Sequence, residues 1–244
     1  MTEQTLLYEN LSFNTHPALV TEKYDGWLIR YSNGYTKRAN SVSAIGDSTI
    51  DIDEKIRYCE EYYHSKDLPC VFKTTDDEPK FDEHLAKLGY REVTPTDVLA
   101  MPLEGRSFNE SDCTISSGPT EEWFDAYFGM AEYSKDIYIQ TAKEMIKSIS
   151  LPSFYCIIKQ DGVPVSVASA VIEDGCMAML NVYTDKNHRL KGYARKACEN
   201  LLNEAVKFGA HTAYLQVVAD NGPAYHIYDS LGYKKIYTYR YREK

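Results

Sequence analysis

The 244 residues carry 27 basic and 36 acidic side chains, a net charge of −9 with a pI near 5.2. Such a chain lacks the clustered cations that displace counterions from phosphates, which argues against general nucleic-acid binding; 43% apolar and 26% charged residues is globular composition, not disorder. The longest apolar stretch, residues 165–172, is broken by Ser166 and Ser169 and falls short of the roughly 20 residues of a membrane helix, so neither nucleic acid nor membrane is expected as a partner.

Residues 1–10 show no basic segment followed by an apolar run, so no signal peptide is expected. The six cysteines, at 59, 70, 113, 156, 176 and 198, have no C-x-x-C spacing and join no histidines in a zinc pattern. They are expected to be reduced, mostly buried thiols of a cytoplasmic protein without a metal.

Residues 27–31, the turn Ser32-Asn33-Gly34 and residues 35–42 read as a hairpin, followed by a helix over about 50–63. Residues 68–93 then read as strand, helix ending at Leu88, and strand. Residues 103–112 form a polar connector, which predicts two units, 1–105 and 106–244. The first holds 11 basic and 19 acidic residues (net −8), the second 16 and 17 (net −1). In the second unit a short strand at 113–116 precedes a helix capped by Thr120 and running to about Glu132, with Glu121 and Glu122 in its favoured acidic first turn. A second helix covers about 139–149. Strands at 154–159, 163–172 and 177–183 are separated by the turns Gln160-Asp161-Gly162 and Glu173-Asp174-Gly175. A helix over about 192–208, a strand at 212–218, a short helix at 223–231 stopped by Gly232, and a strand at 235–242 complete the chain. This order predicts a mixed α/β layer with a crossover helix.

Shifting the sequence by 143 residues lays 68–93 on 211–236 without a gap. Leu88-Gly89-Tyr90 falls on Leu231-Gly232-Tyr233 and Asp77 on Asp220. Four identities are few, but the elements match in order, which points to a degenerate internal duplication.

The entry to the long helix breaks a rule. Helix N-termini carry partial positive charge and attract acids or Ser/Thr caps, yet Arg189, Lys191, Arg195 and Lys196 crowd this one. Cations there are unfavourable unless an anion sits among them, and Gly192 permits close approach of free backbone N–H groups. These residues form a candidate phosphate or pyrophosphate cradle. The matching helix of the first half opens with Asp47-Ser48-Thr49-Ile50-Asp51, with caps and acids of its own.

Arg189-x-x-Gly192-x-Ala194, following a strand and opening a long helix, resembles the acyl-CoA pyrophosphate motif of the GNAT superfamily of N-acetyltransferases. Asn221-x-x-Ala224-x-x-Ile227-Tyr228-x-x-Leu231-Gly232-Tyr233 resembles its second signature. The match covers about residues 112–244, and the first half looks like a second GNAT-like unit without the motif, as in tandem members. The resemblance implies two mixed twisted sheets flanked by helices, an α/β (mixed α+β) fold, with acetyl-CoA as co-substrate. Pantetheine would lie in a V-shaped splay between strands ending near Tyr183 and Val218, pairing with backbone groups of Val182 and Tyr183. Pyrophosphate would sit on backbone N–H groups of Arg189, Leu190, Lys191, Gly192, Tyr193 and Ala194, and Asn221 would bond the pantetheine arm, unless it serves only as a turn former. Tyr228 would face the thioester sulfur, with Tyr225 as fallback; its counterpart in the first half is Leu85.

The implied reaction is direct attack of a primary amine on the thioester; no Ser/His or Cys/His pairing suggests a covalent intermediate. The alternatives are a non-catalytic acyl-CoA-binding or regulatory protein, and a nucleotide-phosphate binder using the same loop. Candidate bases are Glu132, Asp136 and the terminal carboxylate after Lys244, since Asn181 and Gln216 cannot act as bases. The acceptor is expected to be a small-molecule or peptide amine, cationic if the acidity of the first half is a guide, and a homodimer is possible in principle.

Overall fold

The C-terminal strand points Tyr237, Tyr239 and Tyr241 to one side and Thr238, Arg240 and Arg242 to the other, and both sides are covered. A strand dressed on both faces belongs inside a sheet, and its position organises the molecule. The computed structural model describes residues 1–133 and 135–244. In chain order the elements are α1 (Glu3–Thr15), β1 (Val20–Tyr24), β2 (Trp27–Tyr31), β3 (Val42–Ala44), α2 (Ile52–His64), β4 (Val71–Thr75), α3 (Pro79–Lys87) and β5 (Arg91–Pro102). There follow β6 (Thr114–Ser116), α4 (Glu121–Ala131), α5 (Asp136–Lys147), β7 (Ser153–Gln160), β8 (Val163–Glu173), β9 (Cys176–Thr184), α6 (Tyr193–Phe208), β10 (Thr212–Val218), α7 (Gly222–Leu231) and β11 (Lys234–Glu243).

All strands join one sheet, in the order β1-β2-β3-β4-β11-β5-β10-β9-β8-β7-β6. The two copies of the strand–helix–strand pattern exchange their last strands. β11 pairs with β4, β5 pairs with β10, and β5 and β11 pair with each other, all antiparallel. The shift of 143 residues carries Pro79, the start of α3, onto Gly222, the start of α7, and Arg91, the start of β5, onto Lys234, the start of β11.

Side-chain alternation in β5 divides the core. Leu99 and Met101 pack with Met177, Met179 and Leu215 under α6 and α7. Val98 and Ala100 pack on the opposite face with Tyr8 and Leu11 of α1 and with Tyr237, Tyr239 and Tyr241. α2 and α3 cover Phe72 and Trp27, and α4 covers Tyr155, Ile157 and Val167. Thr120 caps α4 by accepting from Trp123 N at 3.1 Å. The six cysteines are unpaired, five of them buried, and among the described residues no helix is long and apolar enough to cross a membrane.

Two expectations fail in the first half. β2 is a strand, but residues 35–42 are not its hairpin partner: the hairpin is β1–β2, turning at Asp25-Gly26. Residues 32–41 instead form a loop with a short 3-10 turn at Lys37–Ala39. Asn40 closes it, its Oδ1 accepting from Ser32 N (2.8 Å) and Gly34 N (3.0 Å) while its Nδ2 donates to Thr36 O (2.8 Å). A side chain that satisfies three backbone groups outcompetes a strand ladder. The second failure is α1, which was not anticipated.

Because each half fills a strand slot of the other, residues 1–105 and 106–244 produced as separate chains should show no cooperative thermal unfolding by circular dichroism. The intact chain should melt in a single transition.

Candidate active site

β9 and β10 run parallel for four residue pairs, from Thr212↔Cys176 to Leu215↔Met179, and pairing then stops. Beyond it the strands part, each still held on its outer side: Thr184 by Ser166 of β8, Val218 by Thr96 of β5. The cause lies in β9. Its register on β8 slips between Val167↔Tyr183 and Ser169↔Leu180, one extra residue on β9, and Asn181 takes φ +52°. Such a bulge bends its strand and re-aims the side chains around it. Asn181 Nδ2 donates to Ser169 Oγ (3.0 Å) and Ser166 Oγ donates to Tyr183 O (2.8 Å), which pins the bend. Val182 packs with the α6 face and Tyr183 with the α4 face.

α6 begins beside this fork. Gly192 holds φ +83° at the cap and offers no side chain to the first turn, which has no acid. The helix ladder starts at Lys196 N→Gly192 O, and the amides of Tyr193, Ala194 and Arg195 have no acceptor among the described residues. A Cβ at Gly192 would meet nothing within 4 Å, so the space in front of these amides is open. Leu190 also holds a left-handed φ (+62°) and is 98% exposed, strain and exposure together at one loop. Of the four cations, Arg189 donates to Thr184 O (3.4 Å) and Lys191 is exposed. Lys196 lies over the Tyr193 ring. Arg195 turns away, pairing with Glu199 (3.0 Å) and Ser230 (2.8 Å). By contrast α2 is closed: Asp51 Oδ1 accepts from Asp53 N and Glu54 N, and Asp25 accepts from Thr49 N and Ile50 N.

Asn221 caps α7, its Oδ1 accepting from Ala224 N (3.3 Å). Tyr228 is 8% exposed, packed edge-on to Tyr233 and beside Cys198 in the core under α6. Its hydroxyl makes no hydrogen bond among the described residues, and burial, with Cys198 nearby, raises its pKa well above the usual phenol value. Tyr225 is engaged: its hydroxyl donates to Asp97, which also accepts from Thr238 Oγ1 (2.5 Å) and pairs with Lys235 (3.3 Å). The candidate bases do not converge. Glu132 pairs with Lys186 at the surface (3.2 Å), Asp136 is exposed at the start of α5, and Lys244 sits against Glu60 and Tyr90 on the far half.

On the other face the fork opens on a cavity lined by Ser12, Thr15 and His16 of α1 and its end, by Arg38, and by Leu180 and Gln216 of the parting strands. None of the first four was anticipated. The loop that carries Arg38 also reaches α4: Tyr35, Tyr127 and Tyr133 join their hydroxyls in a triangle of 2.7, 2.8 and 3.1 Å. Tyr183 stacks edge-on to Tyr127, and burial together with Tyr133 pushes its pKa up to about 12. The Thr2-Glu3-x-Thr5 capping signal could have located α1, since Thr2 Oγ1 does accept from Thr5 N. Nothing in the sequence marks Arg38.

Residues 7–242 match the family described as the C-terminal region of probable histone acetyltransferase Rv0428c. The chain is 26% identical over 242 residues to the uncharacterized N-acetyltransferase YobR of Bacillus subtilis (strain 168), covering 97% of both. Its fold is similar to a GCN5-related N-acetyltransferase from Kribbella flavida (TM-score 0.71, 19% identity, 97% of this chain and 95% of that one). It is also similar to a tandem GNAT protein from the clavulanic acid biosynthesis pathway (TM-score 0.65, 9% identity, 84% and 74%). A sheet forked beside an uncapped helix, matched along nearly its whole length, makes this chain a member of the Rv0428c C-terminal acetyltransferase family within the GNAT superfamily, whose fold implies acetyl-CoA as co-substrate.

Proposed function

We propose that the protein transfers the acetyl group of acetyl-CoA to a primary amine by direct attack on the thioester. The observation that carries this reading is the fork between β9 and β10 with the unpaired first-turn amides of α6 at its mouth. Pantetheine lies in the fork against the backbone of Val182 and Tyr183. The pyrophosphate lies on the loop from Arg189 to Ala194, where amides and a helix dipole favour an anion. Asn221 keeps its carboxamide nitrogen for the pantetheine arm, since its oxygen caps α7. Residues 106–244 supply this acyl-CoA side, and residues 1–105 supply Arg38 and α1 on the opposite face.

In the reaction the C–N bond forms, the C–S bond breaks, the thiolate gains a proton and the amine loses one. A free thiol has a pKa of ~8.5 and tyrosine ~10, so full transfer from an ordinary phenol is already uphill by roughly 2 kcal/mol. Burial raises Tyr228 further. Tyr228 therefore acts as a hydrogen-bond donor to the developing thiolate rather than as an acid that ionises. Among the described residues no carboxylate lines the cavity at the fork, and on this reading the amine proton leaves through water.

Tyr228→Phe should lower kcat by roughly 10- to 1000-fold with CoA affinity nearly intact; an unchanged kcat removes Tyr228 from the mechanism. Because the raised pKa keeps the phenol protonated, the wild-type kcat profile should have no descending limb below about pH 10. The cradle is tested by a pair of variants. Gly192→Ala and Gly192→Asp both pay for a left-handed backbone, roughly 1–2 kcal/mol, but only the aspartate should abolish CoA binding by calorimetry. Retained binding in Gly192→Asp sinks the cradle assignment.

A further inference from the structure

Where β9 and β10 part, a carboxamide stands at the vertex of the fork. The last parallel pair is Leu215↔Met179, so Gln216 is the first residue of β10 beyond it. Along β10, Tyr214 packs on the α1 face and Leu215 and Val217 on the α6 face, so Gln216 falls on the α1 face, half-buried. Its carboxamide is oriented from behind. The Tyr239 hydroxyl of β11 donates to Gln216 Oε1 (2.9 Å). Tyr239 is itself buried, with Lys73 Nζ 3.9 Å from its ring centroid and Lys73 paired with the buried Glu9 (2.6 Å). With the oxygen engaged, the two N–H groups of Nε2 remain, and neither has an acceptor among the described residues. The first half offers a contrast. The shift of 143 residues lays Lys73 on Gln216, at the last parallel pair of β3 and β4, and its ammonium is spent on Glu9. Gln216 lines a cavity of about 10 Å³ with Leu180 of β9, His16 at the end of α1, and Arg38. The potential there is positive: after burial, Arg38 and Arg30 both lower the pKa of His16.

We propose that this cavity is an oxyanion hole, in which Gln216 Nε2 donates to the carbonyl oxygen of the thioester. The assignment rests on the acetyl-transfer reading, which puts the thioester between these two strands. Size fits a single atom: a cavity with room for one water admits a carbonyl oxygen and no larger part of a substrate. Charge fits the course of the reaction. As the amine attacks, the C–N bond forms and the carbonyl π pair moves onto oxygen. When that pair returns, the C–S bond breaks and the thiolate leaves with its electrons; the amine proton goes to water and the thiolate is reprotonated. The oxygen is fully negative only between those two events. A donor aimed at it, in a site with positive potential and no carboxylate among the described residues, therefore holds the tetrahedral species more tightly than the ground state. Leu180 and Leu215 keep the surroundings apolar, which strengthens the interaction. The Tyr239 bond sets the carboxamide before the reaction begins, so no reorganisation is needed as charge develops.

The first test needs no acceptor amine. Acetyl-CoA, isotope-labelled at the acyl carbonyl carbon, is bound to the intact protein and its carbonyl stretch is followed by infrared difference spectroscopy. In wild type the band should lie at lower wavenumber than in free acetyl-CoA. Gln216→Leu, close in size but without a donor, should lose most of that shift while acetyl-CoA affinity by calorimetry stays within about threefold. Tyr239→Phe, which keeps the buried ring and releases the carboxamide, should lose part of it. With an amine from a panel that supports thiol release, Gln216→Leu should lower kcat by roughly 100- to 1000-fold and leave the KM for acetyl-CoA nearly unchanged. An unshifted wild-type band, a shift kept in full by Gln216→Leu, or an unchanged kcat in that variant overturns the oxyanion assignment and leaves the acetyl-transfer reading standing. Failure of acetyl-CoA to bind the wild-type protein overturns that reading, and this assignment with it.

Discussion

The reciprocal insertion of β5 and β11 constrains everything else. Because β11 lies between β4 and β5, and β5 between β11 and β10, neither half owns a complete sheet. The seam is also where polar groups are knotted. Asp97 on β5 gathers Thr238 and Lys235 of β11 and Tyr225 of α7, and Arg242 of β11 pairs with Asp82 of α3 (2.5 Å). Welded this way, the halves hold α1 and the 32–41 loop over the fork of the other half. Thr15 Oγ1 meets the Tyr214 hydroxyl of β10 at 3.0 Å, and Asn33 Nδ2 donates to Thr141 Oγ1 of α5 at 2.9 Å. This face of the fork is thus built from residues more than 90 positions apart, as with Tyr35 and Tyr127.

The two halves differ in how their matching helices begin. α2 and α6 are equivalent in position, but α2 has its first amides taken by Asp51, with Asp25 closing the turn before it. α6 has glycine at its cap and open space before it. At the equivalent sites 85 and 228, the first half keeps a fully buried leucine where the second has a phenol whose hydroxyl has no partner among the described residues. Both differences follow from local side-chain chemistry on one shared backbone plan. The first half has a similar scaffold without the open helix end, and its 32–41 loop reaches α5 of the other half.

Local signals were therefore legible and long-range ones were not. β10 occupies the expected residues 212–218, α7 ends at the expected Gly232 cap, and α4 begins at Thr120. Each is set by period, cap or turn chemistry within a few residues. The open first turn of α6 after Gly192 was legible because the conflict between cations and a helix dipole is itself local. The order of the strands was hidden, because an exchanged strand has the same alternation as one that pairs within its own copy. The 32–41 loop was misread because Tyr, Thr and Val favour strands, while Asn40 rewrites that preference through three hydrogen bonds. Arg38 lay beyond reach altogether: it shares its cavity with α1, β9 and β10, all distant in sequence.

Charge illustrates the same limit in its sharpest form. The first half counts −8 by sequence, yet Arg30 and Lys73, both buried, and Arg38, which lines the cavity at the fork, all belong to it. Most of its acids lie at the surface, where water and salt screen them within about 8–10 Å. Inside, the low dielectric lets a few unscreened groups set the sign, and here they set it positive. Burial first, with Arg38 and Arg30 adding to it, lowers the pKa of His16 at the edge of the same cavity. A segment's net charge thus speaks to its solubility, whereas the field inside the molecule depends on the few charges that folding removes from water.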